Sequence, residues 1–434
     1  MSTENPEKFR PVFHFTSKKN WLNDPNGLVY YKGIYHLFFQ YDPHSVHGHQ
    51  KVWGHAISKD MINWEEIDIA LNYDEFQIYS GSGAIDKNDV LGVKCKNNDI
   101  MILAYTANLC GQCIAYSNDG GKTFHKHPKN PILPNYGFED RDPKIFFHEN
   151  TKKWVMIFYG EHYAKEGRPA YVFFTSENLL DWEYQSEISG MYECPDMREI
   201  NIKNSSKKKW VILCCNGDYI VGDFDGKTFV PSQNIKTTWR NYNDYATQTW
   251  SDTPKDRVTQ IAWLISPHKP FMPYNQQMTF PVDLELLEEN GEFILTKIPI
   301  KEIEKIYKKS VIIKDKIISY EKNIFEGIGG EAFDIEYEFE YDPFARVYFE
   351  TPNGTIEYNC GNDSIRANSM WEELKPCKNN SVKIRILIDK MSLEIFSDNG
   401  KLYMPFSVLQ NDTHLRIFAT RPVKLISAKI NIIK

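Results

Sequence analysis

WLNDPNGLVYYKGIYHLFFQY, residues 21–41, sets an Asn-Asp-Pro-Asn-Gly cluster directly ahead of a strongly apolar hairpin. Two apolar runs, LVYY and IYHLFFQY, flank the turn Lys32-Gly33, as expected for paired strands. Asp, Asn, Pro and Gly together ordinarily mark a solvated turn. Asp24 therefore has two readings: a turn residue, or a carboxylate held at the mouth of a strand.

The order that begins here recurs along the chain. WGHAISKDMINWEEI supplies a third strand, a turn and a fourth strand starting near Trp64. After Ser80-Gly81-Ser82 the order returns with ILAYTAN and IAYSNDGGKTFHKH, and after Asp142-Pro143 with KIFFH, WVMIFY and YVFFTSENLLDWEYQ. After Glu193-Cys194-Pro195 it returns with MREINI, WVILCC and YIVGDFDGKTFVP, and a fifth, shorter copy starts near Gln248. The outer corner carries Trp64, Phe124, Trp182 and Phe229, spaced 60, 58 and 47 residues apart. Four-stranded units repeating at this interval predict propeller blades. The expected fold is all-β: a five-bladed β-propeller over residues 1–297, followed by a C-terminal β-sandwich.

The pattern changes at KIPIKEIEKIYKKS, where Ile300, Ile303 and Ile306 stand at helical spacing behind Pro299. This predicts a short linker helix within residues 298–315. From 316 to 434 short alternating runs such as AFDIEYEFEY, VKIRILID and SLEIFSDNGKLYMPF predict the sandwich, with Asp398-Asn399-Gly400 as a hairpin turn.

Composition narrows the function. The 434 residues carry a formal charge of −7 and 14% aromatic residues. An acidic chain is repelled by nucleic acid and by anionic membrane surfaces, so neither is an expected partner. No segment reaches the roughly 20 apolar residues that cross a bilayer, and the N-terminal stretch lacks the apolar run of an export signal. A cytoplasmic location is the expectation. The eight cysteines are scattered; Cys110 and Cys113 form one CxxC, which without a second pair is a weak metal or redox signal.

In a propeller the first strand of each blade lines the central channel. Asp24, the Ser80–Ser82 segment, Asp142, Glu193 and the Gln248 segment stand at the blade starts, so three acids would face one funnel. Each acid taken singly could instead cap a turn or pair with Arg141 or Arg198. Acids at equivalent places in successive units favour the funnel. Two carboxyls flanking a glycosidic bond can cleave it, one attacking the anomeric carbon while the other donates a proton to the leaving oxygen. A third can accept hydrogen bonds from ring hydroxyls as positive charge builds. Trp21, Tyr79, Asn23 and Gln40 could line a sugar pocket.

With NDPNG at 23–27, YSGS at 79–82, RDP at 141–143 and ECPD at 193–196, the chain resembles glycoside hydrolase family 32, the invertases and fructan hydrolases. The resemblance implies retention through a covalent fructosyl intermediate. Asp24 would be the nucleophile, Glu193 the acid and then base, and Asp142 with Arg141 the stabiliser of the transition state. Asn23, Gln40, Tyr79 and Ser80 would line the fructose site. Sucrose or a short fructo-oligosaccharide is the implied small-carbohydrate substrate, with no metal or organic cofactor. Sucrose 6-phosphate hydrolysis, fructosyl transfer, arabinan cleavage and non-catalytic sugar binding are the competing readings. The sandwich could cover a propeller face or make homo-oligomer contacts.

One loop departs from the family pattern. Where the family commonly has Trp-Gly, this chain has His47-Gly48 and one residue more. This loop, His44 to Lys51, is expected to alter which sugar sits beyond the fructose. His44, His47, His49 and His55 lack a neighbouring acid that would complete a metal site.

Overall fold

A computed structural model describes residues 5–433 except 96, 136, 162–168, 239–242, 255, 256 and 412. The secondary structure is almost entirely β, arranged in seven sheets among the described residues. Five of them follow one another along the chain. Their first strands are Asn20–Tyr31, Ile78–Asp86, Arg141–His148, Asp196–Asn201 and Asp244–Thr249, each followed by antiparallel partners further out.

The first strands are bonded from one sheet to the next. Gly81 N–H donates to Asn26 Oδ1 at 3.2 Å, and Ser82 Oγ to the Pro143 carbonyl at 2.8 Å. Lys144 Nζ lies 2.7 Å from Asp196 Oδ1, while Asp196 Oδ2 accepts the Thr249 N–H at 2.6 Å. Ser251 N–H then donates to the Leu28 carbonyl at 2.9 Å, returning the chain of contacts to the first sheet. Lys144 and Asp196 are 1% and 0% exposed, so this ion pair sits in a region with no water to screen it. Close approach also limits side-chain size: a Cβ on Gly83 would stand 2.5 Å from the Gly27 carbonyl oxygen.

Most of these inner strands are irregular at one end. Register shifts fall between Leu22 and Pro25, Ile78 and Gly81, Arg141 and Lys144, and Tyr245 and Gln248. A bulge leaves a residue out of the ladder and re-aims its side chain. Asp24, Tyr79, Ser80 and Asp142 all lie inside such shifts, and Asp142 has φ 64°.

The expected linker helix is a single stretch of 3₁₀-helix, Lys301–Ile306, with Ile303 buried. The i, i+3 spacing of Ile300, Ile303 and Ile306 suits three residues per turn. Pro299 ends the preceding strand Glu292–Pro299 rather than opening the helix. From Lys309 the segment expected as linker is already a strand, Lys309–Ile318, paired along its length with Val423–Ile432.

The remaining two sheets, of six and five strands, share one core. Ile335, Ile384 and Ile395 from the larger sheet meet Val347, Phe349, Ile356 and Ile417 from the smaller. Between strands Ser392–Ser397 and Leu402–Ser407 lies the Asp398–Gly400 turn, with Asn399 at φ 55°. Leu387, Phe396 and Tyr403 project the other way and join the core under the N-terminal sheets.

A buried polar cluster crosses the same junction. His14 Nδ1 is 2.9 Å from Asp389 Oδ2 and its Nε2 is 2.8 Å from Glu394 Oε1, with all three side chains fully buried. Asp389 also accepts backbone N–H groups of Val12, Phe13 and His14. Glu394 accepts the Phe280 N–H and the Tyr403 hydroxyl. Burial alone would lower the imidazole, but the hydrogen bonds and charges of the two acids outweigh it and carry His14 up to about 9.

Candidate active site

At the irregular ends of the inner strands a solvent-connected cavity of about 170 Å³ opens. Asn23, Asp24, Gln40, Tyr79, Ser80, Arg141, Asp142 and Glu193 line it, joined by Lys51 and Cys194. All eight residues singled out from the sequence therefore face one space, although they come from four sheets or the segments leading into them. Trp21 borders the site through Asn23.

Asp24 is held at both oxygens. Asn23 Nδ2 donates to Oδ1 at 3.0 Å and Ser80 Oγ to Oδ2 at 2.5 Å. Burial raises this carboxyl above its usual range, against the lowering effect of those two donors and of the Lys51 charge. Asn23 Oδ1 in turn accepts from Trp21 Nε1 at 2.8 Å and from Lys51 Nζ at 3.0 Å. Gln40 Nε2 donates to the Ile78 carbonyl at 3.0 Å and reaches Ser80 Oγ at 3.4 Å, while its Oε1 has no hydrogen-bond partner among the described residues.

The Asp142 carboxylate is linked to the main chain just after Glu193 and, through Arg141, to the Glu193 side chain. Cys194 N–H donates to Asp142 Oδ2 at 3.0 Å, and Asp142 N–H donates to Thr106 Oγ1 at 3.0 Å. Arg141 Nε and one terminal nitrogen both donate to Glu193 Oε2, at 2.9 and 2.8 Å. The other terminal nitrogen donates to Glu139 Oε2 at 2.5 Å, and Nε lies 3.7 Å from Asp142 Oδ2. Burial first, and the charge of Glu193 second, push Asp142 up to about 7. Arg141 and Lys51 are the two cations lining the cavity with these three acids.

Sequence reasoning missed Tyr245. Its hydroxyl donates to Glu193 Oε1, so both oxygens of that carboxylate are engaged. Burial first, then Cys215 and Glu193, push the phenol well above its usual range, which keeps it a donor. Gln248, where the fifth unit was expected to start, lies deeper and donates to the Gly81 carbonyl at 3.0 Å. Trp263 was also missed; it stands edge-on to Trp21 at 5.9 Å and to Tyr245 at 6.4 Å. It thus backs the two residues that hydrogen-bond to Asn23 and Glu193.

The His44–Lys51 loop is organised by Asp42. The carboxylate accepts N–H groups of His44 and Ser45 on one oxygen and of His49 and Gln50 on the other, at 2.7 to 3.2 Å. Gly48, at φ +72°, lies flat on Trp21, where a Cβ would come within 2.8 Å of the indole. His55 is not part of this loop; it is buried against His36, with ring nitrogens 2.9 Å apart. Among the described residues no three metal-ligating side chains cluster.

Comparison with known proteins is consistent along the chain. A levanase of Bacillus subtilis (strain 168) is 35% identical over 91% of this chain. The extracellular exo-inulinase inuE of Aspergillus niger is 27% identical over 95% of this chain and 92% of its own length. This chain spans 65% of that levanase and 48% of a second levanase, from Bacillus sp. (strain L7). Among solved structures, the fructofuranosidase of Schwanniomyces occidentalis complexed with fructosylnystose superposes with a TM-score of 0.89 at 25% identity, covering 99% of each chain. The exo-inulinase of Aspergillus awamori superposes with a TM-score of 0.88 at 24% identity, covering 100% of this chain and 99% of that one. Residues 14–297 match the family model described as the glycosyl hydrolases family 32 N-terminal domain, well over half of the sequence. The chain therefore belongs to glycoside hydrolase family 32.

Proposed function

We propose that this protein is a retaining hydrolase that releases terminal β-linked fructosyl residues from sucrose or short fructo-oligosaccharides. The observation that carries the reading is the convergence of Asp24, Asp142 and Glu193, from three stretches far apart in sequence, on one cavity. The names of the levanase and exo-inulinase relatives, and the fructosylnystose complex of the S. occidentalis enzyme, support the substrate class.

In this reading the five successive sheets are blades of a five-bladed propeller over residues 1–297, and the two C-terminal sheets, which begin at Lys309 rather than at 316, a β-sandwich. Bonds from each inner strand to the next, and from the fifth back to the first, support a closed ring. Asp24 attacks the anomeric carbon as the glycosidic C–O bond breaks, and Glu193 gives its proton to the departing oxygen. Water then attacks the same carbon, Glu193 takes a proton from it, and the Asp24 ester bond breaks. Such a double displacement calls for carboxyls about 5–5.5 Å apart. Asp142 and Arg141 hold ring hydroxyls, and Asn23, Gln40, Tyr79 and Ser80 complete the pocket.

The test is fructose release from sucrose, 1-kestose and levan by the wild type and by Asp24→Asn, with the product anomer followed by NMR. The wild type is expected to release β-fructose first. Loss of the nucleophile is expected to lower kcat by on the order of 10³-fold or more. Full activity in Asp24→Asn, or α-fructose as first product, would overturn the assignment.

A further inference from the structure

Lys51 lies outside the family motifs read from the sequence, yet it lines the pocket. Its backbone carbonyl accepts the Ile78 N–H at 3.0 Å, which fixes the residue between the first and second sheets. Its Nζ is 3.0 Å from Asn23 Oδ1, the atom that also accepts from Trp21 Nε1 at 2.8 Å. An amide oxygen has two lone pairs, and here both are used. With the oxygen pinned by two donors, the amide NH₂ must point at Asp24 Oδ1, which it meets at 3.0 Å. Flipping the amide would turn an oxygen toward a carboxylate and leave two donors unpaired.

Charge distribution gives the lysine a second role. The charged and titratable groups facing Asp24 are Lys51, Glu193, Asp142, Arg141, Tyr79 and Cys194. Arg141 is committed to Glu193 and Glu139. Lys51, which faces Asp24 and Asp42, is the cation on the Asp24 side. We propose that Lys51 is a positioning residue for the nucleophile: it locks the Asn23 amide that aims Asp24, and it supplies the compensating charge beside that carboxylate.

This rests on the reading of Asp24 as nucleophile. It is tested by kcat/KM for fructose release between pH 4 and 8 in the wild type, Lys51→Met, Lys51→Gln and Lys51→Arg, with melting curves to establish folding. Met removes charge and donor, Gln removes charge but keeps an N–H, and Arg keeps both. Met and Gln are expected to move the acid limb up by about one pH unit, a roughly tenfold loss on that limb. Met should also lower the plateau, whereas Gln should do so less and Arg should restore the limb. If Met fails to fold, Gln against Arg carries the comparison. An acid limb unchanged in Met and Gln, or shifted as far in Arg, would overturn the role of Lys51 while the functional reading stands. A folded wild type that releases no fructose from any substrate would overturn the functional reading and this role with it.

Discussion

The His14 cluster ties the stability of the whole chain to alkaline pH. His14 is fully buried between Asp389 and Glu394 and is carried from 6.5 up to about 9. A group whose pKa is higher folded than unfolded stabilises the fold fully below its unfolded value and loses that contribution as pH rises through its folded value. The window here runs from about pH 6.5 to about pH 9. A difference of this size corresponds to about 3 kcal/mol, at ~1.4 kcal/mol per pH unit. With an unfolding entropy of ~2.1 cal/mol/K per residue over 434 residues, that amounts to about 3 °C in Tm if the chain melts as one unit. Calorimetry of the wild type and of His14→Gln from pH 6 to pH 9.5 measures it. The Gln variant leaves two buried acids without a counter-ion at every pH, so its melting point should lie well below that of the wild type at pH 6. Above pH 9 the wild-type imidazole is neutral as well, and the gap should shrink by about that amount. A gap that stays constant across the range would refute the linkage, and with it the charged state of His14.

Two further perturbations probe the site and its support. Tyr245→Phe removes the hydroxyl that donates to Glu193 Oε1; a hydrogen bond to a charged group is worth about 1.5–3 kcal/mol, so kcat/KM for fructose release should fall roughly tenfold or more with the melting point little changed. An unaltered kcat/KM would remove Tyr245 from the catalytic geometry. Lys144→Met strands the Asp196 charge in the interior and should cost about 3–5 kcal/mol, read as a drop in Tm. The double variant Lys144→Met/Asp196→Asn keeps an acceptor for the Thr249 N–H and should recover most of that loss; a double variant no better than the single would show that the damage is one of packing.

The part of this molecule that was legible in the sequence is the part built from local signals. NDPNG, YSGS, RDP and ECPD mark the mouths of successive strands, and the hairpins behind them repeat in order, so the residues that meet in the pocket could be named. Tyr245 escaped because it acts through Glu193, 52 positions away, and no local composition announces that partner. Lys309–Ile318 escaped because its apolar residues come in the runs Val311–Ile313 and Ile317–Ile318 rather than in alternation, although its exposed side chains make it an edge strand. Lys51, the Lys144–Asp196 pair and the His14 cluster depend on partners between 28 and 380 positions away, and no window along the chain brings such partners together.

Asp42 separates two jobs that share one loop. Because a single carboxylate grips four main-chain N–H groups, the path of residues 44–50 is held mainly through the main chain, with the Ser45 hydroxyl accepting the His47 N–H as well. Gly48 is dictated by its neighbour, the indole it rests on. His44, His47 and His49 stand exposed on this path. Substitutions at those exposed positions are expected to leave the main-chain path in place, and with it the alignment of the machinery beneath.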